Sequence, residues 1–186
     1  MQETLLNKKI RIPKNTKISF DNLNNIILIS GLYGESEIKI NSNIEVTINS
    51  DFITISSKEN KKEFKKYLGL YNSLIKSQLK GISQKFKVNL FLNGIGFKVN
   101  KVENQLIFKL GYSHDIILDI PSNIDVSLLK STQIILYSSN WGELTQFAHI
   151  IKKLKKVEPY KGKGILLKNE TVLRKEGKKN KKKIFK

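Results

Sequence analysis

The chain has no cysteine, which excludes disulfides and thiolate metal sites. Its only two histidines, His114 and His149, stand in neither an H-x-x-x-H nor an H-E-x-x-H spacing. A metal centre would therefore rest on scattered carboxylates, and none is expected. No apolar run approaches the ~18–20 residues of a membrane span. The opening "MQETLLNKKIRIPKNT" lacks the apolar stretch of a secretory signal and the Arg/Ser-rich character of a transit peptide. Arginine is nearly absent, with only Arg11 and Arg174, and acidic residues are few: 16 Asp and Glu against 34 Lys and Arg.

What is present is lysine, and it is unevenly placed. The formal net charge is +18, far beyond what solubility requires, and it favours a polyanionic partner, nucleic acid before anionic membrane. Between Lys152 and Lys186 stand 15 basic and 3 acidic residues, so two thirds of the excess lies in the last 35 positions. The rest is a folded body of modest charge, and 39% apolar residues are enough for a real core. The abundance of Lys, Asn and Ile, with the absence of a targeting segment, leads us to expect an organelle-encoded, mitochondrial protein. A bacterial cytoplasm or a plastid is the alternative.

The chain repeats itself. "INSNIEV" at Ile40–Val46 recurs as "IPSNIDV" at Ile120–Val126, an offset of 80 residues. At the same offset "NIILISG" (Asn25–Gly31) matches "QLIFKLG" (Gln105–Gly111), and Asn60 with Glu63 matches Asn140 with Glu143. An Asn followed three residues later by Glu resembles a helix cap and its partner. After each cap the apolar positions correspond at helical spacing: Phe64, Tyr67, Leu68, Tyr71 and Leu74 against Leu144, Phe147, Ala148, Ile151 and Leu154.

Each copy reads as short strands followed by one helix. Strands are predicted at Lys17–Phe20, Ile26–Ser30, Ser36–Ile40, Glu45–Asn49 and Phe52–Ser56, then a helix over Lys61–Leu79 that stops before Gly81. In the second copy they fall at Lys87–Leu92, Phe97–Lys101, Gln105–Leu110, Ile116–Ile120 and Gln133–Tyr137, with a helix over Trp141–Lys156 ended by Pro159. The fold class is α+β. Two tandem duplicated domains, 1–82 and 83–166, each carry a mostly antiparallel sheet with one packed helix, and a basic extension covers 167–186.

Catalysis finds little support. "GKG" at Gly162–Gly164 is not a phosphate-binding loop, and "GIG" at Gly94–Gly96 lacks the third glycine of a dinucleotide fingerprint and is read as a bulge. No nucleophile and base are paired by spacing. We expect no enzyme activity, no cofactor and no small-molecule substrate.

The second helix ends on Lys152, Lys153, Lys155 and Lys156, which suits its dipole but also begins a phosphate-binding surface. "EPYKGKGI" (Glu158–Ile165) follows. Lys161 and Lys163 offer charge, Gly162 and Gly164 allow a backbone to approach another surface closely, and Tyr160 packs on the domain or stacks on a base. The tail adds Arg174, Lys175, Lys178, Lys179, Lys181, Lys182 and Lys183. Such tails order on polyanions. A rival reading makes the tail a peripheral membrane anchor, with only Ile184 and Phe185 as apolar contacts.

These segments resemble those of large-subunit ribosomal protein six in its bacterial and organellar form. "EPYKGKGI" with "NETVLRKEGKKNKKK" is similar to the family's C-terminal signature. "LGYSH" at Leu110–His114, "LNGIGFKV" at Leu92–Val99 and "LYNSLIKSQLKGISQKF" at Leu70–Phe86 match further segments. The resemblance covers essentially the whole length. The family's usual arginines are lysine at Lys152, Lys155 and Lys156, and bulkier residues fill Tyr67–Leu70 where it has glycine and alanine. It implies a structural ribosomal protein that binds large-subunit ribosomal RNA near the stalk base and the sarcin–ricin region, among neighbouring ribosomal proteins. The second domain and tail would make the main contacts, and Tyr112, Ser113 and His114 would form an RNA-facing loop.

Overall fold

The computed structural model describes residues 8–57 and 62–177. The described residues up to Phe86, with Ser138–Trp141, form one compact unit. Lys87–Tyr137, with the described residues from Gly142 onward, form the other.

Unit 1 contains β1 (Lys8–Arg11), β2 (Thr16–Asp21), β3 (Ile26–Gly31), β4 (Gly34–Lys39), β5 (Ile44–Ile48), β6 (Phe52–Ser57) and α1 (Lys62–Ser83). They make two three-stranded sheets, β1-β6-β5 and β2-β3-β4, with every neighbouring pair antiparallel. The core is dominated by isoleucine: Ile27, Ile29, Ile53, Ile55 and Ile75 are almost fully buried. A β-branched side chain has few rotamers to lose and packs well on a pleated surface. Alternation places Ile27 and Ile29 of β3 inward, with Phe20 and Ile18 opposite them on β2.

Unit 2 contains β7 (Phe86–Asn93), β8 (Lys98–Val102), β9 (Gln105–Lys109), β10 (Ile116–Asp119), β11 (Asp125–Lys130), β12 (Gln133–Ser138), α2 (Trp141–Leu154) and β13 (Gly164–Leu167). Its sheets run β10-β9-β8 and β11-β12-β7-β13. With β13 removed, this is the unit 1 arrangement strand for strand. The connections agree as well: Ile40 N–H donates to Asn25 O and Ile120 N–H to Asn104 O, both at 2.8 Å, while Ile44 N–H donates to Asn41 O and Ile124 N–H to Pro121 O, both at 3.0 Å. The fold is α+β and duplicated.

The structure corrects several sequence expectations. The offset of 80 holds through Ile40/Ile120 and Ile44/Ile124, but β3 and β9 are related by 79, with Ile27 and Ile29 standing where Leu106 and Phe108 stand. A one-residue slip exchanges the two faces of a strand. Helix α1 runs past Gly81 to Ser83; the glycine is not a helix stop but a point of close approach to the Ser139 carbonyl of the same unit, which a Cβ would meet. Among its described side chains Leu68, Asn72, Ile75, Leu79 and Ile82 are buried, whereas Tyr67 and Leu74 are exposed. Helix α2 ends at Leu154, two residues short of the expected Lys156. The cap expected at Asn60 lies outside the described residues. "GIG" is a tight turn between β7 and β8 rather than a bulge, closed by Phe97 N–H to Gly94 O at 3.3 Å, with the Phe97 ring against Gly94. Strands β1, β11 and β13 have no counterpart among the predicted strands.

Candidate nucleic-acid interface

Helix α2 is held by Leu144, Phe147, Ala148 and Ile151, all buried. This stripe leaves His149, Lys153 and Ile150 exposed and Lys152 half-buried. The helix C-terminus needs partners for its last carbonyls. Tyr112 of the predicted "LGYSH" loop supplies one, its hydroxyl donating to Leu154 O at 3.0 Å. Ile165 N–H supplies another, to Lys155 O at 3.1 Å. The Lys155 ammonium sits 4.0 Å from the centre of the Tyr112 ring, a cation–π contact. His114 stacks on the same ring at 6.5 Å, and Ser113 is exposed between them. The loop and the end of α2, with Tyr112 and Leu154 lying 42 residues apart in sequence, thus form one surface.

"EPYKGKGI" then closes on itself. Glu158 N–H donates to Lys163 O at 2.8 Å, and Gly162 N–H donates to Glu158 O at 2.9 Å. At the tip Tyr160 and Lys161 point outward, while Lys163 is half-buried. The two glycines serve internal purposes. Gly164, at φ +144°, lies against the chain that leaves α2: a Cβ there would stand 2.7 Å from Val157 Cα and 2.9 Å from Lys156 O. The Arg174 guanidinium covers Gly162, 3.2 Å from where its Cβ would be. Both glycines are buried, so the close approach they permit is to the protein's own backbone and tail. Beyond them the chain pairs with β7, Gly164 opposite Asn93 and Leu167 opposite Leu90. This fixes the loop to the edge of the sheet.

The segment after β13 folds back over the loop. Lys175 N–H donates to Pro159 O at 2.9 Å. Lys152 forms an ion pair with Glu170 at 2.5 Å, and the second Glu170 oxygen accepts Leu167 N–H at 3.2 Å. The hydrogen bond from Lys152 holds the Glu170 carboxyl below the usual glutamate range, against the opposing effect of desolvation. One depression is lined by His149, Lys152, Lys153, Lys156, Val157 and Glu170. The structure therefore gathers Tyr112, Ser113, His114, Lys155, Tyr160, Lys161, Arg174 and Lys175 around the C-terminal end of α2, with Lys152 and Lys156 in the depression beside it. Lys178, Lys179, Lys181, Lys182 and Lys183, and the apolar pair Ile184 and Phe185, lie outside the described residues.

Two features of this surface do not follow from the sequence. Glu170 neutralises Lys152, a pairing across 18 residues that a count of charges along the chain does not reveal. His149, a flank residue by its helical position, helps line the depression. Among the described residues, no group of three or more His, Cys, Asp or Glu is placed to hold a metal ion. No helix among them is long and apolar enough to cross a membrane.

The family model described as Ribosomal protein L6 matches residues 12–85 and 93–167, one segment in each unit. The chain belongs to the ribosomal protein L6 family. The second matched segment ends at Leu167, so it takes in β13 and the whole Glu158–Lys163 loop. Relatives span nearly the full length. The large ribosomal subunit protein uL6 of Mycoplasmoides gallisepticum is 36% identical over 174 residues, covering 92% of this chain and 94% of the relative. That of Spiroplasma citri is 37% identical over 172 residues, covering 92% and 95%. The large ribosomal subunit protein uL6c of Phaeodactylum tricornutum is 35% identical over 169 residues, covering 91% and 94%. These L6-family relatives give the mitochondrial expectation no support.

Proposed function

We propose that the chain is a structural component of a large ribosomal subunit, holding large-subunit ribosomal RNA on the surface of unit 2 around the end of α2. The observation that carries this reading is the convergence there of exposed cations with an exposed aromatic. Tyr160 and Lys161 stand at the tip of a loop closed by two backbone hydrogen bonds, and Arg174 and Lys175 are folded against the same loop. Rigid display of charge lowers the ordering cost of binding, and a tyrosine offers a base a stacking face. Membership of the L6 family and its uL6 relatives support the ribosomal setting.

Within this reading Lys155, Lys156, Lys161 and Lys163 neutralise phosphates, Lys152 is engaged by Glu170 instead, Gly162 and Gly164 shape the loop, and Tyr112, Ser113 and His114 face RNA beside it. The extension adds Arg174, Lys175, Lys178, Lys179, Lys181, Lys182 and Lys183. Residues 1–82 serve as scaffold, 83–166 as the RNA-binding domain and 167–186 as the extension. The RNA contacted lies near the stalk base and the sarcin–ricin region, with other ribosomal proteins as neighbours. The reading involves no reaction chemistry. The ribosome is of bacterial type, whether in a mitochondrion, a plastid or a bacterium; the proteins that co-purify with it distinguish these.

The test is salt dependence. Each phosphate contact contributes about 0.7–0.9 to the slope of log affinity against log salt, so Lys161→Ala with Lys163→Ala lowers that slope by about 1.4–1.8. An unchanged slope on protein-free large-subunit rRNA removes these two lysines from the interface. Preferential binding to anionic vesicles over rRNA at the same salt overturns the RNA reading altogether.

A further inference from the structure

We propose that the Lys152–Glu170 ion pair is a latch that fixes where the basic extension leaves unit 2, making Glu170 a positioning residue for RNA binding. This rests on the reading that the surface binds ribosomal RNA.

The argument begins with an acid in an unfavourable place. Glu170 is one of only three acidic residues in the last 35, and it lies in the depression lined by His149, Lys152, Lys153 and Lys156. A carboxylate there subtracts from the potential that attracts phosphate. Both its oxygens are engaged, one by the Lys152 ammonium and the other by Leu167 N–H, which holds the group in a single orientation. Glu170 N–H donates back to Leu167 O at 3.1 Å, closing a turn directly after β13. The second fixed point comes five residues later, where Lys175 N–H reaches Pro159 O and Arg174 rests against Gly162.

Residues 167–175 therefore form a strap tied at both ends across the loop that carries Tyr160 and Lys161. The lysine run beginning at Lys178 starts three residues beyond the second tie. A basic extension rooted at a fixed point beside the phosphate-binding surface has a higher effective concentration there than one hinged at β13. It also has fewer conformations to lose on binding. Charge alone and the latch then predict opposite signs for removal of Glu170. Charge alone predicts tighter RNA binding, because a repulsive group has gone. The latch predicts weaker binding, because the strap is untied.

The experiment compares wild type, Glu170→Ala, Lys152→Met and the double variant in the full chain, with protein-free large-subunit rRNA transcribed in vitro as probe. At one fixed salt concentration Glu170→Ala weakens binding by about two- to fivefold, the scale of one partly exposed ion pair. In the Lys152→Met background the same substitution changes affinity by a much smaller factor, because the pair is already broken. Amide exchange supplies a readout that loss of folding does not mimic: the Lys175 amide loses protection in Glu170→Ala while buried α2 amides such as Ile151 keep theirs. Equal or tighter binding by Glu170→Ala, additive effects in the double variant, or an unchanged Lys175 amide each overturns the latch. A wild-type chain that does not bind rRNA overturns the functional reading instead, and the exchange comparison still decides whether the strap is tied by this pair.

Discussion

Replacing Gly164 with alanine tests whether the loop and tail are anchored through β13. Two costs add at this position. At φ +144° a residue with a Cβ is strained, by about 1–3 kcal/mol. The new carbon would also stand 2.7 Å from Val157 Cα and 2.9 Å from Lys156 O, backbone atoms that no rotamer change can move aside. Forced overpacking of this kind costs a further ~1–3 kcal/mol. The expected total is about 2–6 kcal/mol, felt in unit 2. Gly34→Ala provides the control, since Gly34 has φ +122° but nothing within 4 Å of its Cβ position. It carries only the strain, so the difference between the variants isolates the contact with the Lys156–Val157 backbone. Urea unfolding with amide exchange resolved for each unit measures both, and Leu166 and Phe91, opposite each other across the two strands, report directly on the pairing of β13 with β7. A Gly164→Ala protein within about 0.5 kcal/mol of wild type, the range of an inconsequential surface change, refutes the reasoning. So does a Gly34→Ala variant that costs as much.

Tyr112→Phe removes the hydrogen bond to Leu154 O while leaving the ring under Lys155, and is expected to cost about 0.5–1.5 kcal/mol in thermal unfolding of unit 2. A loss above that range would mean the hydroxyl supports more than this one bond. The Glu170 carboxyl titrates below its ordinary value because Lys152 hydrogen-bonds to its charged form. Its contribution is therefore complete above the ordinary glutamate value that applies in the unfolded chain, and disappears as pH falls through the lower folded value. Protection of the Lys175 amide should fall with acid over that window in the wild type and show no such step in Glu170→Gln. Parallel acid profiles for the two proteins would disconnect the strap from the pair.

Much of the fold is legible without coordinates. The paired segments Ile40–Val46 and Ile120–Val126 reveal the duplication, because the same turn and the same two buried isoleucines, Ile40 with Ile44 and Ile120 with Ile124, recur in each. The register of β3 against β9 is not legible. Both segments are apolar on consecutive residues, so alternation carries no signal, and identical glycines attract the alignment to the wrong parity. Strand β1, "KKIR", buries Ile10 and exists because β6 offers it an edge. Strand β11 could have been located from its counterpart β5, since Glu45–Asn49 shifted by 80 falls on Asp125–Leu129. The face of α1 is rotated from the expected stripe because Asn72 is buried where Leu74 would have been the natural choice.

The candidate site divides along the same line. Composition and spacing alone determined that the positive excess lies after the second helix, that no metal or nucleophile motif accompanies it, and that a glycine-punctuated basic loop follows Pro159. These are properties of residue type and local order, which a linear string contains in full. Only the tertiary structure decided that Tyr112 meets Leu154 and Lys155, that Gly164 is needed by the chain's own backbone, and that Glu170 takes the charge of Lys152. Each of these depends on residues distant in sequence being brought within a few ångströms by sheet pairing and helix burial. No local pattern encodes such a distance, so a carboxylate that looks like a blemish in a basic tail can be told from a latch only once the fold has placed its partner.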